Sequence, residues 1–238
     1  MSGKKIGGAG LRGQSAGETS ICTVGVSGSG LTYRGYDVVD LAENTTFEEV
    51  AYLLLHKKLP NSQELKDYTE KLKSLRGLQP ELRSTLEGIP KTAHPMDVLR
   101  TGCSVLGNLE QEEGFLNQTD HADRMLSAFP SILSYWYQFS HHGKRIDTET
   151  NDDTIGGHFL HLLHGKKPSQ LHNQVMSVSL ILYAEHEFNA STFAARVCAS
   201  TLSDIHSAVT SAIGTLRGPL HGGANEAASA MLSQWNDP

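Results

Sequence analysis

Cysteine is scarce in this chain of 238 residues: Cys22, Cys103 and Cys198 lie far apart and form no CxxC pair. That spacing offers neither a disulfide framework nor a cysteine-based zinc site, and it fits a reducing cytosol. Long apolar runs are missing too, since none approaches the ~20 residues needed to cross a bilayer. The opening Met1-Ser2-Gly3-Lys4-Lys5-Ile6-Gly7-Gly8 has no apolar core of the kind a secretory signal needs. The Asn-x-Ser/Thr triplets at Asn44, Asn117 and Asn189 therefore read as chance matches, not glycosylation sites. Positive charge is not in excess either. A net charge of −6 argues against nucleic acid or an anionic membrane as the main partner. An anionic ligand would have to find positive charge gathered locally.

What is present suits a core of one or two domains, with 38% hydrophobic residues. Residues 1–20, rich in glycine and polar groups, read as a flexible lead-in. Their GxGxxG match (Gly8, Gly10, Gly13) lacks the preceding strand and following helix that a dinucleotide fingerprint requires. Residues 21–37 alternate apolar and small polar residues around Gly25, Gly28 and Gly30, which predicts a short hairpin. From Asn44 onward the period is helical. Thr46 and Glu49 form a capping box ahead of the face Phe47, Val50, Ala51 and Leu54. After Pro60, Asn61 or Ser62 caps a second helix with the stripe Leu65, Tyr68, Leu72 and Leu75. A third helix spans about 80–88, and a fourth starts after Pro95. Residues 107–119 read as a linker. Further helices are expected around Ile132–Phe139 and over 154–164, 168–185 and 190–214. The fold class is mainly α with one small N-terminal hairpin.

Several residues carry chemistry. In Leu216-Arg217-Gly218-Pro219-Leu220-His221-Gly222-Gly223-Ala224-Asn225-Glu226, Pro219 stops a helix near Arg217 and a new helical pattern begins at about Ala224. His221 sits on the connection, and its two glycines leave room for close approach. An imidazole beside a helix N-terminus is suited to donating one hydrogen bond to a carbonyl oxygen. The bland alternative is a turn that the histidine merely caps. Tyr183, His186 and Asn189 recur at intervals of three, so a continuous helix would set them on one face. Tyr183 would then line a pocket, His186 would donate to a substrate oxygen and Asn189 would orient it; otherwise His186 pairs with Glu185 or Glu187 at a solvated helix end. His158, His161 and His164 tempt a metal reading, but metal-ligating pairs on helices favour i, i+4 spacing, and packing at a helix crossing is the preferred reading. Lys71, Lys73 and Arg76, interleaved with Glu64, Asp67 and Glu70, read mostly as a solvated face.

The text also resembles a known family in several places, in order along the chain. Leu31-Thr32-Tyr33-Arg34-Gly35-Tyr36-Asp37, Phe47 to His56, His94-Pro95-Met96-Asp97-Val98-Leu99-Arg100-Thr101-Gly102, Ala184-Glu185-His186-Glu187-Phe188-Asn189-Ala190-Ser191-Thr192 and the His221 segment are similar to motifs of the citrate synthase family. Tyr135-Trp136-Tyr137 and the stretches Asp152–His161 and Tyr183–Asn189 resemble its 2-methylcitrate synthase branch. The resemblance implies condensation of an acyl-CoA thioester with oxaloacetate, the preferred thioester being propionyl-CoA and the alternative acetyl-CoA. It implies no metal and no cofactor beyond the coenzyme A substrate itself, and a cytoplasmic homodimer. It casts His221 as donor to the thioester oxygen, His186 as the group that polarises oxaloacetate, and Lys71 as the nearest match to a basic ligand-binding residue.

The resemblance further implies a large helical domain over 21–218 and only the start of a small domain over 219–238. The family's second catalytic histidine, its catalytic aspartate and its carboxylate-binding arginines find no match before Pro238. The expectation is thus a truncated chain, inactive alone. Two readings of other classes stand beside it: an inert helical scaffold, and a metallohydrolase built on the His158 series.

Overall fold

The computed structural model describes residues 17–25, 30–114 and 116–233. Most of the lead-in with its GxGxxG match, Gly28 and the last residues, 234–238, lie outside the described residues. The order is β1 (Cys22–Val24), β2 (Leu31–Tyr33), β3 (Tyr36–Asp37), α1 (Val38–Asn44), α2 (Phe47–His56), α3 (Ser62–Ser74), α4 (Pro80–Glu87), α5 (Pro95–Leu109), α6 (Gln118–His142), α7 (Ile155–His164), α8 (Gln170–Tyr183), α9 (Ala190–Ser200), α10 (Ile205–Leu216) and α11 (Gly223–Leu232).

The expected hairpin is there, with a third short strand added. β1 pairs antiparallel with β2, with Cys22 opposite Tyr33, and β2 pairs with β3. Arg34 and Gly35 connect β2 to β3 with φ of 51° and 90°. Two consecutive positive φ values are what a two-residue hairpin turn with right-handed twist demands. Arg34 tolerates this conformation while its guanidinium donates to the Leu54 carbonyl at 3.0 Å. Tyr33, fully buried, donates its hydroxyl to the Ile181 carbonyl at 2.9 Å. That carbonyl, at the end of α8, also accepts from the Ala184 N–H at 3.2 Å, and the Tyr33 bond pins the hairpin to the helix end.

Local capping sets the helix starts. Thr46 with Glu49, and Asn61 with Glu64, form complete capping boxes at α2 and α3. Pro80 and Pro95 stand at the first positions of α4 and α5, where a missing N–H costs nothing. Three sequence expectations change. α1, capped by Asp37, precedes the first expected helix. The linker of 107–119 is shorter, because α5 runs to Leu109 and α6 begins at Gln118. The single helix of 190–214 is two: Leu202 takes φ 63° and Asp204 caps α10 by accepting from Ser207 N–H at 2.9 Å. A Ser-Asp pair is a strong start signal, and it outweighs the helical period running through it.

Two apolar cores form. One gathers Leu82, Leu86, Val98, Leu106, Ile132 and Trp136 from α4, α5 and α6, with Ile213 of α10. The other joins Tyr33, Leu41, Val50, Leu53, Leu72 and Ile181 from the hairpin, α1, α2, α3 and α8. α6 serves both, since Leu126 packs on the second core and Ile132 sits in the first. α10 approaches α5 closely because Gly107 has no Cβ; one would lie 2.7 Å from the His206 side chain. Arg76 departs from the solvated face expected for it. It is 1% exposed, and its guanidinium donates to the Thr150 carbonyl at 2.7 Å and the Thr154 carbonyl at 3.4 Å.

Candidate functional site

α10 ends at Leu216, and the chain then folds back on itself. His221 N–H donates to the Gly218 carbonyl at 3.0 Å, Gly222 N–H to Leu216 at 3.0 Å and Gly223 N–H to Gly218 at 3.2 Å. α11 starts directly on this turn at Gly223. Gly222 is required by close approach: a Cβ there would stand 2.5 Å from the Leu216 carbonyl oxygen. The room expected beside the imidazole is thus taken, on the Gly222 side, by the chain's own backbone.

The His221 side chain is half-buried, and its Nε2 lies 2.9 Å from the Ser191 hydroxyl. Ser191, buried in the first turn of α9, also lies 2.7 Å from Asn189 Oδ1. Asn189 caps α9 and accepts from Thr192 N–H at 2.9 Å. The serine hydroxyl has one hydrogen and two acceptors within reach. When it donates to Asn189, the oxygen accepts from His221 Nε2–H and leaves Nδ1 as an acceptor. When it rotates to His221 Nε2, the neutral imidazole carries its hydrogen on Nδ1 and becomes a donor there. The hydroxyl therefore sets which chemistry the free edge of His221 presents. Sequence reasoning did not single out Ser191; its place right after the Asn189 cap, inside the His186 motif, is the signal that was available.

The shared face expected for Tyr183, His186 and Asn189 does not form. α8 ends at Tyr183, and Asn189 is the cap of the next helix, so 184–189 is a non-helical connection. Its path is fixed by the hairpin: Glu185 N–H donates to the Tyr33 hydroxyl at 3.3 Å, and Glu187 N–H to Cys22 Sγ at 3.1 Å, with Glu187 at φ 57°. Burial pushes the Cys22 thiol up to about 11, so it remains a neutral acceptor. Tyr183 is 77% exposed and lines no cavity with His186 through helical spacing. Asn189 has its oxygen committed to Ser191 and Thr192, and through that oxygen it orients the serine. His186 is exposed on the connection. Three peptide units separate it from Asn189, which keeps its Cα within about 11 Å of that residue.

Lys71 is placed elsewhere. Its ammonium contacts Asp120 at 2.6 Å and Asp123 at 2.7 Å, and Asp123 also accepts from the Tyr68 hydroxyl at 2.8 Å. Two carboxylates already neutralise the charge that an anionic ligand was expected to meet. The His158 series divides. His158 is fully buried, with Ser131 Oγ 3.0 Å from Nε2 and Thr150 Oγ1 3.0 Å from Nδ1, so both ring nitrogens are occupied by hydroxyls. Burial, reinforced by the nearby Arg76 charge, pulls its pKa down to about 3. His161 Nδ1 meets Asp152 at 2.6 Å. Among the described residues, no three His, Cys, Asp or Glu side chains converge as a metal-binding group. No described helix is long and apolar enough to cross a membrane.

Comparison with known proteins adds to this geometry. Residues 10–238 match the family described as "Citrate synthase, C-terminal domain". The 2-methylcitrate synthase of Shewanella oneidensis is 71% identical over 234 residues, which is 98% of this chain and 62% of that protein. Citrate synthase 2 of Bacillus subtilis is 42% identical over 210 residues, covering 86% of this chain and 56% of that protein. The chain thus spans about three fifths of the length of these relatives. Among solved structures, the citrate synthase of Thermotoga maritima superposes with a TM-score of 0.82 at 37% identity, covering 96% of this chain and 61% of that one. The citrate synthase of Thermoplasma acidophilum, solved as a ternary complex with carboxymethyl coenzyme A and oxaloacetate, gives a TM-score of 0.87 at 30% identity, covering 94% of this chain and 59% of that one. By sequence and by fold, the chain belongs to the citrate synthase family.

Proposed function

We propose that this chain carries part of the active site of a 2-methylcitrate synthase, an acyltransferase that joins propionyl-CoA to oxaloacetate and water, giving 2-methylcitrate and free coenzyme A. The single observation that carries the reading is the Ser191–His221 pair, in a chain 71% identical over 234 residues to a 2-methylcitrate synthase. In the reaction a base removes an α-proton from the thioester, and negative charge develops on the thioester oxygen. A donor placed there stabilises the enolate. His221 fills that role through Nδ1–H when Ser191 donates to its Nε2. His186 polarises the ketone of oxaloacetate, whose carbon then bonds to the thioester α-carbon while its oxygen gains a proton. Water finally cleaves the C–S bond. Neither histidine is assigned the role of base, and coenzyme A enters as part of a substrate.

We further read residues 1–20 as a lead-in, 21–218 as a large helical domain and 219–238 as the start of a second, smaller one. In support, no residue after Ile213 belongs to either core among the described residues. A homodimer is supported by apolar side chains left exposed on α8, such as Leu171, Val175 and Leu182.

Calorimetric titration with oxaloacetate tests the reading. Wild-type chain binds, and His186→Ala weakens binding about tenfold or more. No binding, or no change on substitution, supports an inert helical scaffold instead. The use of acetyl-CoA is the second reading, favoured by the likeness to Citrate synthase 2 of Bacillus subtilis. One methylene in a pocket is worth only ~1–3 kcal/mol. A propionyl-CoA preference of roughly tenfold in kcat/KM supports the first reading, and equality or reversal the second.

A further inference from the structure

The chain on both sides of His221 is gripped by one feature that the chemistry above does not use: the first turn of α5. His94 caps that helix, with Nδ1 accepting from Met96 N–H at 3.1 Å. Its hydrogen is thereby fixed on Nε2, which lies 3.0 Å from Glu226 Oε2 in the first turn of α11. Asp97, in the first turn of α5, forms an ion pair with Arg217 at 3.5 Å and another with Arg100 at 3.1 Å. Arg217 precedes the His221 turn and Glu226 follows it. We propose that the first turn of α5 is a positioning clamp for His221, with His94 and Asp97 holding Glu226 and Arg217 on either side of the imidazole.

Three observations carry this. α5 is itself rigidly held, because Val98, Leu99 and Cys103 lie in the first core directly behind the clamp. α11 lacks that support: it contributes no residue to either core among the described residues, and its cap, Gly222, has no side chain to offer. Its start therefore depends on the turn's own hydrogen bonds and on Glu226, whose carboxylate also suits a helix N-terminus. His94 holds the Glu226 carboxyl below the usual carboxylate range, as a direct hydrogen bond to the charged form requires. Ser191 fixes only the tip of the ring, so a clamp on the backbone is what keeps His221 in reach of that hydroxyl. His94 and Glu226 act on His221 through the backbone that they hold, as positioning residues.

The inference rests on the functional reading of His221, and its test separates the two. Amide exchange over His221–Gly223 is measured on the intact chain in His94→Asn, Glu226→Ala, Glu226→Gln and the double variant His94→Asn/Glu226→Ala. Asparagine keeps the cap on α5 but is too short to reach Glu226. His94→Asn and Glu226→Ala are each expected to speed exchange about two- to fivefold, the range for a partly exposed pair. The double variant goes no further than either single one, and Glu226→Gln, which still accepts from Nε2–H, stays near wild type. The ¹⁵N signal of His221 Nε2 loses its hydrogen-bonded position in the two disruptive variants and keeps it in Glu226→Gln. Unchanged exchange in both single variants, or additive effects in the double, overturns the clamp. A loosened turn with unchanged affinity for carboxymethyl coenzyme A leaves the clamp standing and counts against the role given to His221.

Discussion

Two histidines in this chain are flanked by paired glycines, Gly156-Gly157-His158 and His221-Gly222-Gly223, and they do opposite things. In the first, the glycines bring α7 against α8: a Cβ on Gly156 would lie 2.8 Å from Met176, and one on Gly157 2.9 Å from Asn173. His158 is sealed at the crossing with α6, both nitrogens bonded and the ring neutral. In the second, Gly222 lets the backbone fold on itself, while His221 stays half-buried and, among the described residues, is hydrogen-bonded through Nε2 alone of its ring nitrogens. The same local letters give a structural joint where two cores meet, and a group with a free edge where the cores end. Burial, not the motif, decides which histidine is left with capacity to react.

The largest effect that separates them is acid sensitivity. His158 has its pKa near 3 in the folded chain, against about 6.5 when exposed. The unfolded state binds the extra proton between those values, so stability rises with pH there and is lost as pH falls from about 6.5 towards 3. Burial of this order corresponds to on the order of 4 kcal/mol across that window. Urea unfolding as a function of pH should show this slope in wild type and a shallower one in His158→Gln. Equal slopes would break the comparison. Next comes truncation at neutral pH. His158→Ala removes a buried ring and orphans two hydroxyls, for a loss of about 3 kcal/mol. His221→Ala costs under about 1 kcal/mol, and unfolding midpoints of the pair give the test.

Gly222→Ala sharpens the second half of the comparison. The new Cβ collides with the Leu216 carbonyl, a backbone atom that cannot step aside cheaply. A loss of about 1–3 kcal/mol is expected, together with faster amide exchange in α11 and unchanged exchange in α7. Ser191→Ala is expected to cost less than Gly222→Ala. It removes one hydrogen bond to His221 and one to Asn189, for about 0.5–1.5 kcal/mol, and lets the imidazole populate both tautomers. The ¹⁵N spectrum of the ring reports that mixture even where stability barely moves.

Much of this fold was legible locally. Capping residues at Thr46 and Asn61, prolines at helix starts, and the alternation before Asp37 all act over a few residues, which is the range that sequence patterns reveal. The break at Thr201–Asp204 was missed because small residues continue the helical period across it. Arg76 was misplaced for a different reason: its partners, the Thr150 and Thr154 carbonyls, come from a distant loop, and no neighbour in sequence announces them. The site divides the same way. His221 stood out through Pro219 and the two glycines, and the turn around it forms as those residues dictate. The grouping of Tyr183, His186 and Asn189 rested on a continuous helix, and the non-helical stretch from Ala184 to Asn189 removes that basis. Ser191, by contrast, becomes meaningful only once α9 and the α10–α11 turn meet.

The imidazole ¹⁵N spectrum of His221 tests the central claim most directly, recorded on the chain alone and then with oxaloacetate and carboxymethyl coenzyme A. The account predicts that ligand binding moves the hydrogen to Nδ1, with Ser191 donating to Nε2, and that the shift is lost in Ser191→Ala. A ring that keeps its hydrogen on Nε2 in the presence of both ligands would contradict it.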